Sequence, residues 1–150
     1  REVIQATVKN GGSLAGLSPT PGNALYSAAK AGLRQASLAA ALELRGRGVA
    51  GTVIAPDLVD TPLMRANMSR GAAAALAYSG AGPLSVAEVE RAFWRALRDR
   101  PLEITLPRWR GWLARFTNLN PALMLALYEP LRRRGLQRME AERRRLNLDQ

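Results

Sequence analysis

Cysteine and histidine are both missing from these 150 residues, and lysine is nearly so: Lys9 and Lys30 stand against twenty arginines. Without cysteine there is neither a disulfide framework nor a thiolate metal site. Without histidine, zinc sites and histidine-based catalysis drop out as well, so no metal centre is expected. Any acid-base chemistry must fall to Tyr, Lys, Asp or Glu. No apolar run approaches the roughly 20 residues that cross a bilayer, and the first residues resemble no signal peptide. The chain therefore reads as intracellular and soluble, with a cytoplasmic location expected.

What is present fits one domain or a piece of one: 47% of residues are hydrophobic, enough over this length for a real core. The formal charge of +10 is unevenly spread. Residues 1–90 hold 8 basic and 6 acidic residues, and residues 91–150 hold 14 and 6, so the excess belongs to the C-terminal part. A basic face attracts nucleic acid or anionic lipid. The sequence has neither the aromatic and glycine pattern of an RNA-binding sheet nor zinc-finger spacing, and no nucleic-acid partner is expected.

Along the chain, helix and strand patterns alternate as in α/β folds. Leu25, Ala29, Leu33, Leu38, Ala41 and Leu42 recur at helical spacing from Ala24 to about Gly46, and VAGTVIA at 49–55 reads as a buried strand stopped by Pro56. Residues 61–83, with methionines, a run of four alanines and three glycines, read as a mobile helix-and-loop excursion. Ser85 and Glu88 have the spacing of a capping box, opening a helix whose face is Val86, Val89, Ala92, Phe93 and Leu97. LEITL at 102–106 is a last strand. Asn120 before Pro121 starts a helix with Leu123, Met124, Leu127 and Tyr128 on one face and arginine clusters at 132–134 and 143–145.

Tyr26 and Lys30 lie one turn apart on the first helix, on one face. An adjacent cation favours a phenolate, so such a pair can give and take a proton. A compact ammonium, unlike a guanidinium, suits a small pocket, which gives a reason for lysine at position 30 in so arginine-rich a chain. A surface lysine left by chance is the plainer reading.

The surroundings of this pair resemble the active-site segment of the short-chain dehydrogenase/reductase family. Ser13 stands thirteen residues before Tyr26, Ala15-Gly16 and Pro21-Gly22 fall between them, and Ser27-Ala28-Ala29-Lys30-Ala31 follows. Pro56-Asp57-Leu58-Val59-Asp60-Thr61 comes after the next strand, similar to a Pro-Gly-x-Val-x-Thr segment. The resemblance implies an NAD- or NADP-dependent oxidoreductase that interconverts an alcohol and a ketone or aldehyde. It implies Tyr26 as general acid/base, Lys30 bound to the nicotinamide ribose, and Ser13 as donor to the substrate oxygen. Pro56, Val59 and Thr61 would lie at the nicotinamide, with 62–83 as a lid. The plainer readings are Ser13 as a turn serine, Tyr26 as a half-buried aromatic and Thr61 as a helix cap. The fold implied is the C-terminal part of a Rossmann-type doubly wound parallel sheet over 1–107, followed by a basic helical extension over 108–150, with a homo-oligomer as the intact enzyme.

Three departures qualify the resemblance. The glycine-rich dinucleotide fingerprint and the family's asparagine are absent, so the chain is expected to be a portion of a longer enzyme, folding poorly and binding no dinucleotide by itself. Lys9 and Asn10 stand where the strand feeding Ser13 is usually apolar, and Asp57 stands where glycine is usual, costly if the backbone there needs a positive φ. The lid composition leans toward a lipophilic substrate. A different reading makes the chain a non-catalytic piece that docks on a membrane or partner through 108–150.

Overall fold

In the computed structural model, residues 10–67, 75–80 and 82–145 are described; the expectations that fall on residues 1–9, on Met68 and the rest of 68–74, on 81 and on 146–150 lie outside them. Three parallel strands form the sheet: β1 (Asn10–Gly11), β2 (Val53–Pro56) and β3 (Glu103–Leu106), in that order. Asn10 pairs with Val53 and Gly11 with Ile54, so a polar residue at position 10 does not keep it out of the ladder. Val53 to Pro56 then run beside Glu103 to Leu106 in register.

Side chains alternate across a strand, and the two faces meet different helices. Ile54 and Ile104 turn to α4 (Val86–Asp99), where Ala92, Ala96 and the partly buried Phe93 meet them. Ala55 turns the other way, into a cluster with Leu14, Leu17 and Ala114. That side carries α1 (Ala24–Arg45) and α5 (Arg108–Leu119). Helices on both faces of a parallel sheet are the layering of the α/β class.

The capping box at Ser85 forms in full, with Glu88 N–H to Ser85 Oγ and Ser85 N–H to Glu88 Oε2. The expected α4 face is corrected at its ends. Val86 is 62% and Leu97 39% exposed, because the small residues Ala92 and Ala96 make the close contact with the strands and turn the helix by part of a step. The strand expected over 49–55 begins later, at Val53.

The excursion over 61–83 contains α2 (Pro62–Asn67) and α3 (Ala75–Tyr78). Its base is closed by a parallel bridge between Val59 and Leu84: Leu84 N–H donates to Leu58 O at 2.7 Å, and Asp60 N–H to Leu84 O at 2.8 Å. The described part is packed down by α6 (Pro121–Arg145), which buries Met139 against Met64 and Tyr78 and sets Gly135 against the Ala75 carbonyl. Leu123, Met124, Leu127 and Tyr128 of α6 are partly buried. No described helix is long and apolar enough to cross a membrane.

Candidate active site

The turn after β1 is built from local chemistry. Ser13, extended at φ −149° and ψ 151°, caps a short 3-10 turn at Leu14–Gly16, its Oγ accepting from Ala15 N–H at 3.2 Å. Leu14 and Leu17 anchor that turn in the core beneath it. Gly16 lies directly on α1: a Cβ there would stand 2.8 Å from the Lys30 carbonyl oxygen. Only glycine allows the serine turn and the Tyr-Lys helix to meet this closely.

A second turn aims the helix. Asn23 N–H donates to Thr20 O at 3.0 Å, with Pro21 at the second position and Gly22 at φ 83° at the third, the pattern of a type II turn. α1 begins at once, and Tyr26 falls on its first turn. The Lys30 ammonium lies 5.5 Å from the Tyr26 ring centroid, so the two side chains share one face, and Tyr26 is 49% exposed. Beside them, the Ser27 hydroxyl is buried with no hydrogen-bond partner among the described residues. Across the turn, Ser18 Oγ and Thr117 Oγ1 are 3.2 Å apart, tying the segment to α5.

Pro56 ends β2 and Val59 follows it, next to the strand that leads into Ser13; a Cβ on Gly12 would meet the Ile54 carbonyl at 2.7 Å. Both segments thus leave the sheet at the strand ends where α/β folds take ligands. In the bridge to Leu84, it is Leu58 and Asp60 that bond, which turns the Val59 peptide groups away from that partner. Thr61 Oγ1 accepts from Met64 N–H at 3.2 Å, so this side chain does cap α2, and its hydroxyl proton remains for another acceptor. Ser13 likewise combines a cap with an unused proton.

Asp57 brings in a residue the sequence reading missed. Its carboxylate Oδ2 accepts from Arg110 Nε at 2.7 Å, with both side chains largely buried. Arg110 also donates to Ser79 Oγ at 2.9 Å and to Leu76 O at 3.2 Å. One guanidinium from α5 therefore joins the loop after β2 to the excursion above it. Burial pushes the Asp57 carboxyl up to about 6; the Arg110 charge and the Leu58 N–H offset only part of that. The anticipated backbone cost at Asp57 is absent, since Arg100 is the one non-glycine with positive φ among the described residues. Nothing in the sequence marks Arg110: it is one of three arginines in α5, and it lies far along the chain from Asp57.

Residues 4–71 match the family model described as short chain dehydrogenase. The chain is 47% identical over 57 residues to the 2,5-dichloro-2,5-cyclohexadiene-1,4-diol dehydrogenase LinX of Sphingobium indicum, covering 38% of this chain and 23% of the relative. It is 37% identical over 117 residues to a sulfoacetaldehyde reductase of Chromohalobacter salexigens, covering 73% of this chain and 46% of the relative. The chain thus spans less than half the length of these curated relatives. No solved structure matches it. The segment that holds Ser13, Tyr26 and Lys30 is thus one of the short chain dehydrogenase family.

Proposed function

We propose that the chain carries the catalytic segment of an NAD- or NADP-dependent oxidoreductase that interconverts an alcohol and a carbonyl. One observation carries this reading: Lys30 stands over the Tyr26 ring on α1, and Gly16 brings the Ser13 turn against the backbone of that helix at Lys30. Tyr26 gives its proton to the carbonyl oxygen in reduction, or takes it from the alcohol in oxidation. Lys30 stands one turn away on the same helix, its ammonium 5.5 Å from the Tyr26 ring. Ser13, its oxygen already engaged by Ala15 N–H, directs its own proton at the substrate oxygen as charge develops there.

The residues present fit the nicotinamide end of the cofactor. Lys30 and Tyr26 would meet the ribose, and Val59, with its peptide groups turned from Leu84, would meet the carboxamide together with Pro56 and Thr61. The nicotinamide, when bound, supplies or receives the hydride. A lipophilic substrate loses part of its support, because Met64 is spent on packing against Tyr78 and Met139 rather than on lining the excursion. Leu25 and Leu33 on the open side of α1 are consistent with pairing of two copies.

The test is steady-state oxidation of a panel of alcohols, followed by nicotinamide absorbance, in the active enzyme. Tyr26→Phe should lower kcat/KM by about 10²–10⁴-fold with KM little changed. Unimpaired kcat in the Tyr26→Phe enzyme would overturn the assignment.

A further inference from the structure

α5 is built inside out. Gly111, Ala114 and Thr117, at spacings of three, are its buried residues, while Trp109, Trp112, Phe116 and Leu119 recur at three and four on the opposite side, 52–83% exposed. Burial ordinarily selects the large apolar side chains for the inside. A contiguous aromatic stripe left in water marks a surface that something covers.

The stripe's surroundings indicate what. α5 contains three arginines and no acidic residue. The Arg115 guanidinium lies 5.5 Å from the Trp112 ring and that of Arg110 5.7 Å from the Trp109 ring, while Arg108 is exposed at the start of the helix. Arg110 and Arg115 are engaged by the buried carboxylates of Asp57 and Glu103, which leaves Arg108 as the exposed guanidinium of the helix. An exposed aromatic face on a helix that opens with an exposed guanidinium and carries no carboxylate fits a surface that is apolar beneath and negative at its boundary. Leu125, 83% exposed, adds a further apolar side chain at the start of α6, and no described helix is long and apolar enough to cross a bilayer.

We propose that α5 is an interfacial helix that docks the chain on an anionic lipid surface, Trp109, Trp112, Phe116 and Leu119 entering the boundary and Arg108 meeting lipid phosphates. This is independent of the catalytic reading: it makes the protein a peripheral enzyme or a peripheral binding protein alike.

The full chain is tested by co-sedimentation with vesicles of equal phosphatidylglycerol and phosphatidylcholine, against vesicles of phosphatidylcholine alone. Trp94→Phe leaves Trp109 and Trp112 as fluorescence reporters. Sedimentation with the anionic vesicles, a blue shift of emission and release by high salt are expected. Trp112→Ser with Phe116→Ser should weaken the partition more than tenfold at unchanged far-UV helicity, and Arg108→Gln about fivefold. Should the double variant lose helicity, Leu119→Ser with Arg108→Gln, two exposed positions, replaces it. Absence of sedimentation, equal binding to the neutral vesicles, or full binding by the stripe variants overturns the proposal. So does a lipid-free dimer that already blue-shifts the two tryptophans and is lost in the double variant, which would assign the stripe to a second copy.

Discussion

Two carboxylates are buried against the sheet, one at the start of β3 and one just past the end of β2, and they are compensated very differently. Glu103 accepts from Arg34 of α1 at 2.6 and 3.0 Å and from Arg115 of α5 at 2.6 Å. Burial by itself would raise its pKa, yet the hydrogen bonds and charges of two arginines outweigh it and hold the group below its ordinary value. Asp57 is no less buried, its side chain 9% exposed against 10%, but it has one arginine, and that arginine divides its donors among three acceptors. Its carboxyl rises to about 6. A buried charge is held by the number of partners it commands rather than by one short distance. Glu103 fastens two helices to a strand, whereas Asp57, beside the segment assigned to the nicotinamide, holds its charge only weakly.

Breaking the well-compensated member should cost most. Glu103→Ala leaves Arg34 and Arg115 facing one another across a vacated acceptor, and a loss of about 3–5 kcal/mol is expected, read as a lower urea midpoint. A loss under about 1 kcal/mol would show that the arginines simply swing into solvent and that the cluster fastens nothing.

Removing the cation from the poorly compensated member comes next. Arg110→Met strips Asp57 of its partner and cuts the bonds to Ser79 and Leu76 together. Asp57 answers partly by taking up a proton, which limits the global cost to about 2–3 kcal/mol. The larger change should be local: amide exchange over 75–80 should quicken by about tenfold or more, while β2 and β3 keep their protection. Uniform acceleration across the sheet would mean that Arg110 supports the whole fold instead of tying the excursion to β2.

These two clusters also mark the limit of what could be read from the sequence. The helix that carries Tyr26 and Lys30 and the turn at Ser13 were legible because they are local: a serine cap, a Pro21-Gly22 turn and one helical step lie within eighteen residues. The capping box at Ser85 and the helix start at Pro121 were legible for the same reason. Asp57 with Arg110, and Glu103 with Arg34 and Arg115, join residues far apart in the chain, and an arginine-rich sequence offers many candidates for each. α5 was illegible in another way. Periodicity assigns large apolar residues to the core, and here glycine, alanine and threonine occupy it, because only small side chains let the helix lie close on Thr105. The lid methionine misled likewise: composition can say that residue 64 is apolar, but only the position of α6 decides what it touches.

The smallest effect is also the most discriminating, because it changes sign between the two carboxylates. Glu103 has a depressed folded pKa, so its stabilisation is present above the ordinary carboxylate value of about 4 and is lost as pH falls below it. Asp57 has a raised one. Between about 4 and about 6 the folded protein holds a proton that the unfolded chain has released, so stability contributed by this group is full at the acid end and declines as pH rises through about 6. Asp57→Asn keeps an acceptor for Arg110 and removes the titration. Across pH 4 to 7 the wild type should therefore lose on the order of 2 kcal/mol relative to Asp57→Asn, measured as the difference of urea-unfolding free energies at each pH. A difference that grows in the wild type's favour would mean that the Arg110 ion pair outweighs burial, making Asp57 a second Glu103. A flat difference would mean that water reaches the carboxylate and that the two sites differ in exposure rather than in compensation.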